Sequence, residues 1–105
     1  MPRTYSEKFL LDMHQADPHR AGVRLAKVCV KANLPAKYVA EALGVTRMTV
    51  YSWFRGKPIR DKNQQVVEIF TELVEGDMVK GLLPVNNIQQ GRKYIEDMIG
   101  KPLEK

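Results

Sequence analysis

The sequence predicts a single, compact, all-α domain. Three observations carry that expectation. Apolar residues recur at helical spacing along most of the chain, and strand-type alternation is nearly absent. Prolines fall where helices begin or turns occur, at Pro18, Pro35, Pro58 and Pro84. Finally, 105 residues with 44% hydrophobic side chains suffice for one modest core.

The elements follow in order. Ser6 is placed to cap a first helix, SEKFLLDMHQA, with Phe9, Leu10 and Met13 on one side. Asp17-Pro18 reads as the N-cap and first residue of a second, PHRAGVRLAKVCVKAN, packing through Ala21, Leu25, Val28, Cys29 and Ala32. Asn33-Leu34-Pro35 breaks it. A short third helix, PAKYVAEAL, turns Ala36, Val39, Ala40 and Leu43 to one side and stops at Gly44. Thr46 caps a fourth, which ends near Arg55-Gly56. Asp61 is expected to cap a fifth, DKNQQVVEIFTELVEG, with an apolar stripe of Val66, Val67, Ile69, Phe70, Leu73 and Val74. That stripe spans about 160° of a helical wheel, wide for a helix with one core contact. Asn86 or Asn87, each with a glutamine three residues on, opens a last helix through Ile99, faced by Ile88, Ile95, Met98 and Ile99 and weakened by Gly91. A boundary after Gly76 divides the chain into a domain of residues 1–76 and a C-terminal extension of residues 77–105.

Composition narrows the function. No apolar run approaches the roughly 20 residues of a membrane span, and MPRTYSEK lacks a secretory h-region. One cysteine, Cys29, permits no internal disulfide. A cytoplasmic, membrane-free protein is expected. The net charge of +5 is unevenly spread: residues 1–60 carry 11 Lys and Arg against 4 Asp and Glu, and residues 61–105 carry 6 against 8. A basic module of this kind suits an anionic polymer. No CxxC, HExxH or phosphate-cradling glycine loop is present, and no nucleophile, base and orienting group cluster. His14 and His19 read as surface side chains, Cys29 as a small core residue, and Glu68, Glu72, Glu75 and Asp77 as a solvated face. Neither an enzyme nor a bound cofactor or metal is expected.

The stretch LGVTRMTVYSWFRG, residues 43–56, is the most informative. On a wheel at about 100° per residue, Arg47, Met48, Tyr51, Ser52 and Arg55 fill one continuous arc. Thr49, Val50, Trp53 and Phe54 fill the other side. A plain solvated face would mix Glu with Lys for i,i+4 pairing; this arc has no acid. Two short helices joined by a tight turn make a helix-turn-helix. Gly44 supplies the positive φ, Val45 plugs the angle, small Ala40 permits close approach, and Val39, Leu43, Val50 and Trp53 form the shared core. Such a second helix fits the B-DNA major groove, about 12 Å wide.

With Ala40, Gly44, Val45, Thr46, Trp53, Gly56 and Lys57 at their respective spacings, residues 36–55 resemble the helix-turn-helix of the Cro-type (XRE) repressor family. The fit is good over residues 36–57 and looser over 24–75. It implies a lambda-repressor-like fold, here with an added N-terminal helix and a C-terminal helical extension, and a small phage-repressor-like DNA-binding regulator. Two positions depart from the pattern. Phe54 stands where an acid often follows the tryptophan, exchanging an ion pair for a packing contact. Lys37 takes the phosphate role of a missing glutamine near the start of the first motif helix. Carried over by position, the resemblance implies that Arg47, Met48 and Ser52 read bases, Arg47 by a bidentate pair with guanine. Lys37, Thr46, Thr49, Tyr51, Arg55 and Lys57 are cast as phosphate contacts. Trp53 is core rather than a stacking platform, and a plain surface tyrosine is the rival reading of Tyr51.

The expected function is therefore sequence-specific binding of double-stranded DNA at a palindromic operator, as a nucleoid-associated repressor. One reading helix covers few base pairs, so a homodimer is expected, with Val67, Phe70, Val74, Ile88, Ile95 and Ile99 as its interface. The alternative is that residues 77–105 fold back and cover the stripe from Val66 to Val74 within one chain. The alternative function is a protein-interaction module, a polymerase- or toxin-binding accessory protein built on the same helix pair.

Overall fold

Among the described residues, capping and apolar spacing produce six helices: α1 (Glu7–Gln15), α2 (Ala21–Ala32), α3 (Ala36–Leu43), α4 (Arg47–Phe54), α5 (Asp61–Val79) and α6 (Ile88–Ile99). The structure, a computed structural model, describes residues 5–15, 17 and 19–103, without the side chains of Asp12 and His14. No strand occurs among the described residues. The radius of gyration, 12.8 Å, matches the ~13 Å of a compact domain of this length. No helix among the described residues is long and apolar enough to cross a membrane.

α2 is the central element, packed against α4 and α5, while α3 packs against α4 and α6. Its Val23, Leu25, Ala26, Cys29 and Ala32 are fully buried. Gly22 is also buried, because a Cβ there would collide with the carbonyl of Trp53. Glycine thus sets how closely α2 and α4 approach. Burial pushes the Cys29 thiol well above its usual pKa, so it remains a neutral core group.

The caps show where local chemistry decided the helix ends. Ser6 Oγ accepts the Phe9 N–H at 3.1 Å, as expected at the start of α1. α2 begins at Ala21, later than the Asp17-Pro18 pair suggested; Pro18 and the His14 side chain lie outside the described residues. Asp17 instead closes the preceding turn: its Oδ1 accepts the His19 N–H at 3.0 Å, and its carbonyl accepts the Arg20 N–H at 3.2 Å. The hydrogen bonds from His19 hold this exposed carboxyl below its ordinary pKa. Asn33 ends α2 at φ 61°, and its Nδ2 donates to the Val85 carbonyl at 3.0 Å.

The C-terminal part corrects three expectations. α5 runs on to Val79, with Arg60 at the N-cap and Asp61 in the first turn, so the division after Gly76 falls inside a helix. Residues beyond it belong to the same core. Leu83, Val85, Ile95 and Leu103 are buried together with Val67, Phe70 and Val74. The Val85 N–H donates to Ala32 O at 3.1 Å. Both asparagines at the start of α6 are used: Asn87 Oδ1 accepts the Gln90 N–H at 2.8 Å, while Gln90 Oε1 accepts the Asn86 N–H at 2.9 Å. Gly91 is a contact rather than a weakness, since a Cβ there would press on the Pro35 ring at 3.3 Å. The Tyr94 hydroxyl donates to Asp77 Oδ2, joining α6 to α5. Leu103 is clamped by Arg92 on its carbonyl at 2.8 Å and by Glu96 on its N–H at 2.9 Å.

The apolar stripe of α5 is accordingly divided. Val67, Phe70 and Val74, together with Ile95 of α6, are covered within the chain and are not a surface for a second copy. The fold-back alternative describes these residues. Ile88 is exposed and Ile99 half-buried. Val66, Ile69 and Leu73, on the adjoining side of α5, remain 45%, 50% and 51% exposed.

Candidate nucleic-acid interface

The frame of α3 and α4 follows from three residues. Gly44 adopts φ 71°, and a Cβ there would meet nothing within 4 Å, so conformation rather than space demands glycine. The Gly44 N–H returns to Glu41 O at 3.3 Å and the Val45 N–H to Ala40 O at 3.1 Å, the paired bonds that satisfy a helix's last carbonyls. Thr46 then caps α4, its Oγ1 accepting the Thr49 N–H at 3.1 Å. Val39, Ala40, Val50 and Trp53 are buried between the helices, with Leu43 and Val45 half-buried beside them.

Phe54 is fully buried, filling the position where an acid was the alternative. It lies in an aromatic cluster that ties α1 to α4. Its ring centroid is 5.8 Å from Phe9 and 6.2 Å from Tyr5. Tyr5 stacks on Phe9 at 5.1 Å and donates its hydroxyl to Leu34 O at 2.6 Å. Burial raises the Tyr5 phenol far above its usual range. Tyr51 joins the cluster edge-on, 5.8 Å from Phe9 and 6.0 Å from Phe54. The plain surface alternative does not describe this residue: its ring is half-buried packing material.

The remaining members of the arc face outward. Arg47 and Arg55 are exposed, Met48 is 77% exposed, and Ser52 is half-buried. Neither arginine forms an ion pair among the described residues. Between Glu41 and Asp61 the chain contains no acid. Lys37 is exposed in the first turn of α3.

Two clefts share Pro58, and α4 lines one of them. One, of about 390 Å³, is lined by Val45, Thr46, Thr49, Trp53, Arg60, Lys62 and Asn63. Here Thr49 is half-buried, its Oγ1 2.9 Å from that of Thr46. The other, of about 280 Å³, brings Lys57 beside His19, Arg20 and the start of α2. Arg20, Arg60 and Lys62 were not singled out from the sequence. The acid-free run continuing to Arg60 was the available signal for one of them; the other two needed the fold. Cations, hydroxyls and helix N-termini with unpaired N–H groups suit phosphate oxygens.

Comparison of the chain with protein-family models, with curated proteins and with solved structures finds no match.

Proposed function

We propose that this protein is a sequence-specific regulator of transcription, a repressor, that binds double-stranded DNA by laying α4 in the major groove. One observation carries the reading: the outward face of α4 joins two exposed arginines, neither in an ion pair among the described residues, and an exposed methionine on a stretch with no acid from residue 42 to residue 60. Such a face is costly beside cations and favourable beside phosphate.

Arg47, at the first helical position, suits a bidentate pair with guanine O6 and N7. Met48 offers an apolar contact to a thymine methyl, and Ser52 an adaptable hydroxyl. Arg55, Lys57, Arg60 and Arg20, together with Lys37 and the Thr46 and Thr49 hydroxyls, form the phosphate-contacting rim, which sets register without reading sequence. Buried Trp53 and the Gly44 turn hold α4 at a fixed angle to α3. One such helix reads only a few base pairs, so a twofold arrangement on a palindromic operator, with half-sites about 34 Å apart, supplies the rest of the specificity. The protein acts in the cytoplasm, on the nucleoid.

Selection of bound sequences from a random duplex library tests the reading. A recovered palindromic consensus, with affinity that falls steeply as salt rises, is the expected result. Salt-insensitive binding, or no enrichment, would overturn it and favour a protein-docking role for the same helix pair.

A further inference from the structure

Two phenols in the aromatic cluster between α1 and α4 are used differently. The Tyr5 hydroxyl is buried and donates to Leu34 O at 2.6 Å, which pins the cluster to the connection between α2 and α3. The Tyr51 hydroxyl has no hydrogen-bond partner among the described residues. No buried side-chain N or O among them lacks a partner, so this oxygen reaches solvent. Tyr51 stands on the outward arc of α4, one turn after Arg47, one turn before Arg55 and next to Ser52. Its ring is held from inside the protein. Phe9 meets it edge-on at 5.8 Å and 80°, and Phe54 at 6.0 Å and 82°, a T-shaped geometry that aromatic pairs favour. Phe9 also stacks on Tyr5 at 5.1 Å and lies 5.8 Å from Phe54. Its own place is fixed where α1 begins, by the bond from its N–H to Ser6 Oγ.

We infer that α1 belongs to the DNA-binding apparatus: Phe9 is a positioning residue that holds the Tyr51 ring so that its hydroxyl donates to a backbone phosphate beside the bases read by Arg47 and Ser52. This role rests on the DNA-binding reading of α4. A helical tyrosine has two favoured χ1 rotamers, because the third drives the ring into the preceding turn. The contacts with Phe9 and Phe54 hold one of the two. Phe54 lies three residues on in the same helix and moves with it. Phe9 comes from α1, so it alone of the two ties the Tyr51 ring to a second helix.

The side chain is thus ordered on folding, and less freedom is left to lose on the duplex. A phenol also differs from the arginines beside it. It is an uncharged O–H donor, so its contact with a phosphate displaces no counterion. Tyr51 therefore adds affinity without adding salt dependence, and, like other phosphate contacts, it adds that affinity on every sequence.

Titration of the full chain with the duplex recovered by selection, and with an unrelated duplex, tests this. Tyr51→Phe keeps every ring contact and removes only the hydroxyl. It should leave the melting temperature intact, weaken binding about tenfold on both duplexes, and leave the salt slope unchanged. Phe9→Leu keeps apolar volume but removes the edge-on partner. It should weaken binding severalfold when Tyr51 is present and no further in the Tyr51→Phe background, while lowering the melting temperature equally in both. Wild-type affinity in Tyr51→Phe, a shallower salt slope, a loss confined to one base-pair preference, or an equal loss from Phe9→Leu in both backgrounds would each overturn the inference. Each of these leaves the DNA-binding reading standing as long as the wild type still selects its duplex. A wild-type chain that selects no duplex overturns that reading, and this role for Phe9 with it.

Discussion

At the residue scale, the acid-free arc on α4 separates into side chains that face solvent and side chains that hold the helix. Arg47→Ala should cost about 1–3 kcal/mol on the preferred duplex and relax preference at one base pair. Binding measured on the consensus and on its single-base variants checks this; unchanged affinity and preference would remove Arg47 from the readers. Arg60→Ala should weaken binding similarly on all duplexes and reduce the salt slope by about one. Loss of selectivity at a single position would contradict its place on the phosphate rim. Trp53 belongs to the other group. With 4% exposure, Trp53→Ala should destabilise by roughly 3–5 kcal/mol, read from denaturant unfolding; an unchanged midpoint would mean that the ring is not part of the core. Gly22→Ala sets two effects against each other. Alanine gains about 1 kcal/mol of helix propensity, but the added methyl collides with backbone at Trp53, which no rotamer change relieves. Overpacking of about 1–3 kcal/mol should win, so a melting temperature above wild type would refute the close approach of α2 and α4.

At the element scale, α3, α4 and their turn are legible in the sequence. Gly44, Thr46 and the apolar spacing act within a few residues of one another, and the structure repeats the expected caps. α2 starts late because Asp17 spends its side chain on the His19 N–H rather than on a helix. α5 and α6 were legible as helices but not in their roles. A helical wheel shows that Val66 to Val74 is apolar; it cannot show that Leu83, Val85, Ile95 and Leu103 return to cover Val67, Phe70 and Val74. Removal of residues 77–105 therefore opens the core. The truncated chain should lose cooperative thermal unfolding and expose apolar surface to a hydrophobic dye. A truncated protein that melts as sharply as the full chain would show that the first five helices stand alone.

At the scale of the whole molecule, the basic excess lies in residues 1–60, which carry α4 and hold 11 Lys and Arg against 4 Asp and Glu, and the fold gathers part of it around the two clefts that share Pro58. Duplex binding should accordingly weaken by orders of magnitude between low and physiological salt, with a log–log slope near −0.9 for each phosphate neutralised. A flat salt profile would separate the basic face from the function proposed for it. The sequence by itself determined the helical class, the turn at Gly44, the Thr46 cap and the acid-free face of α4, because each depends on periodicity, on one residue's backbone freedom or on composition over a short run. Only the tertiary structure decided that Tyr51 turns its ring to Phe9, that Arg20 shares a cleft with Lys57 and Arg60 one with Thr49, and that half of the α5 stripe is core while Val66, Ile69 and Leu73 stay in solvent. Those outcomes depend on which segments, tens of residues apart, come to lie against one another, and no local pattern encodes that choice.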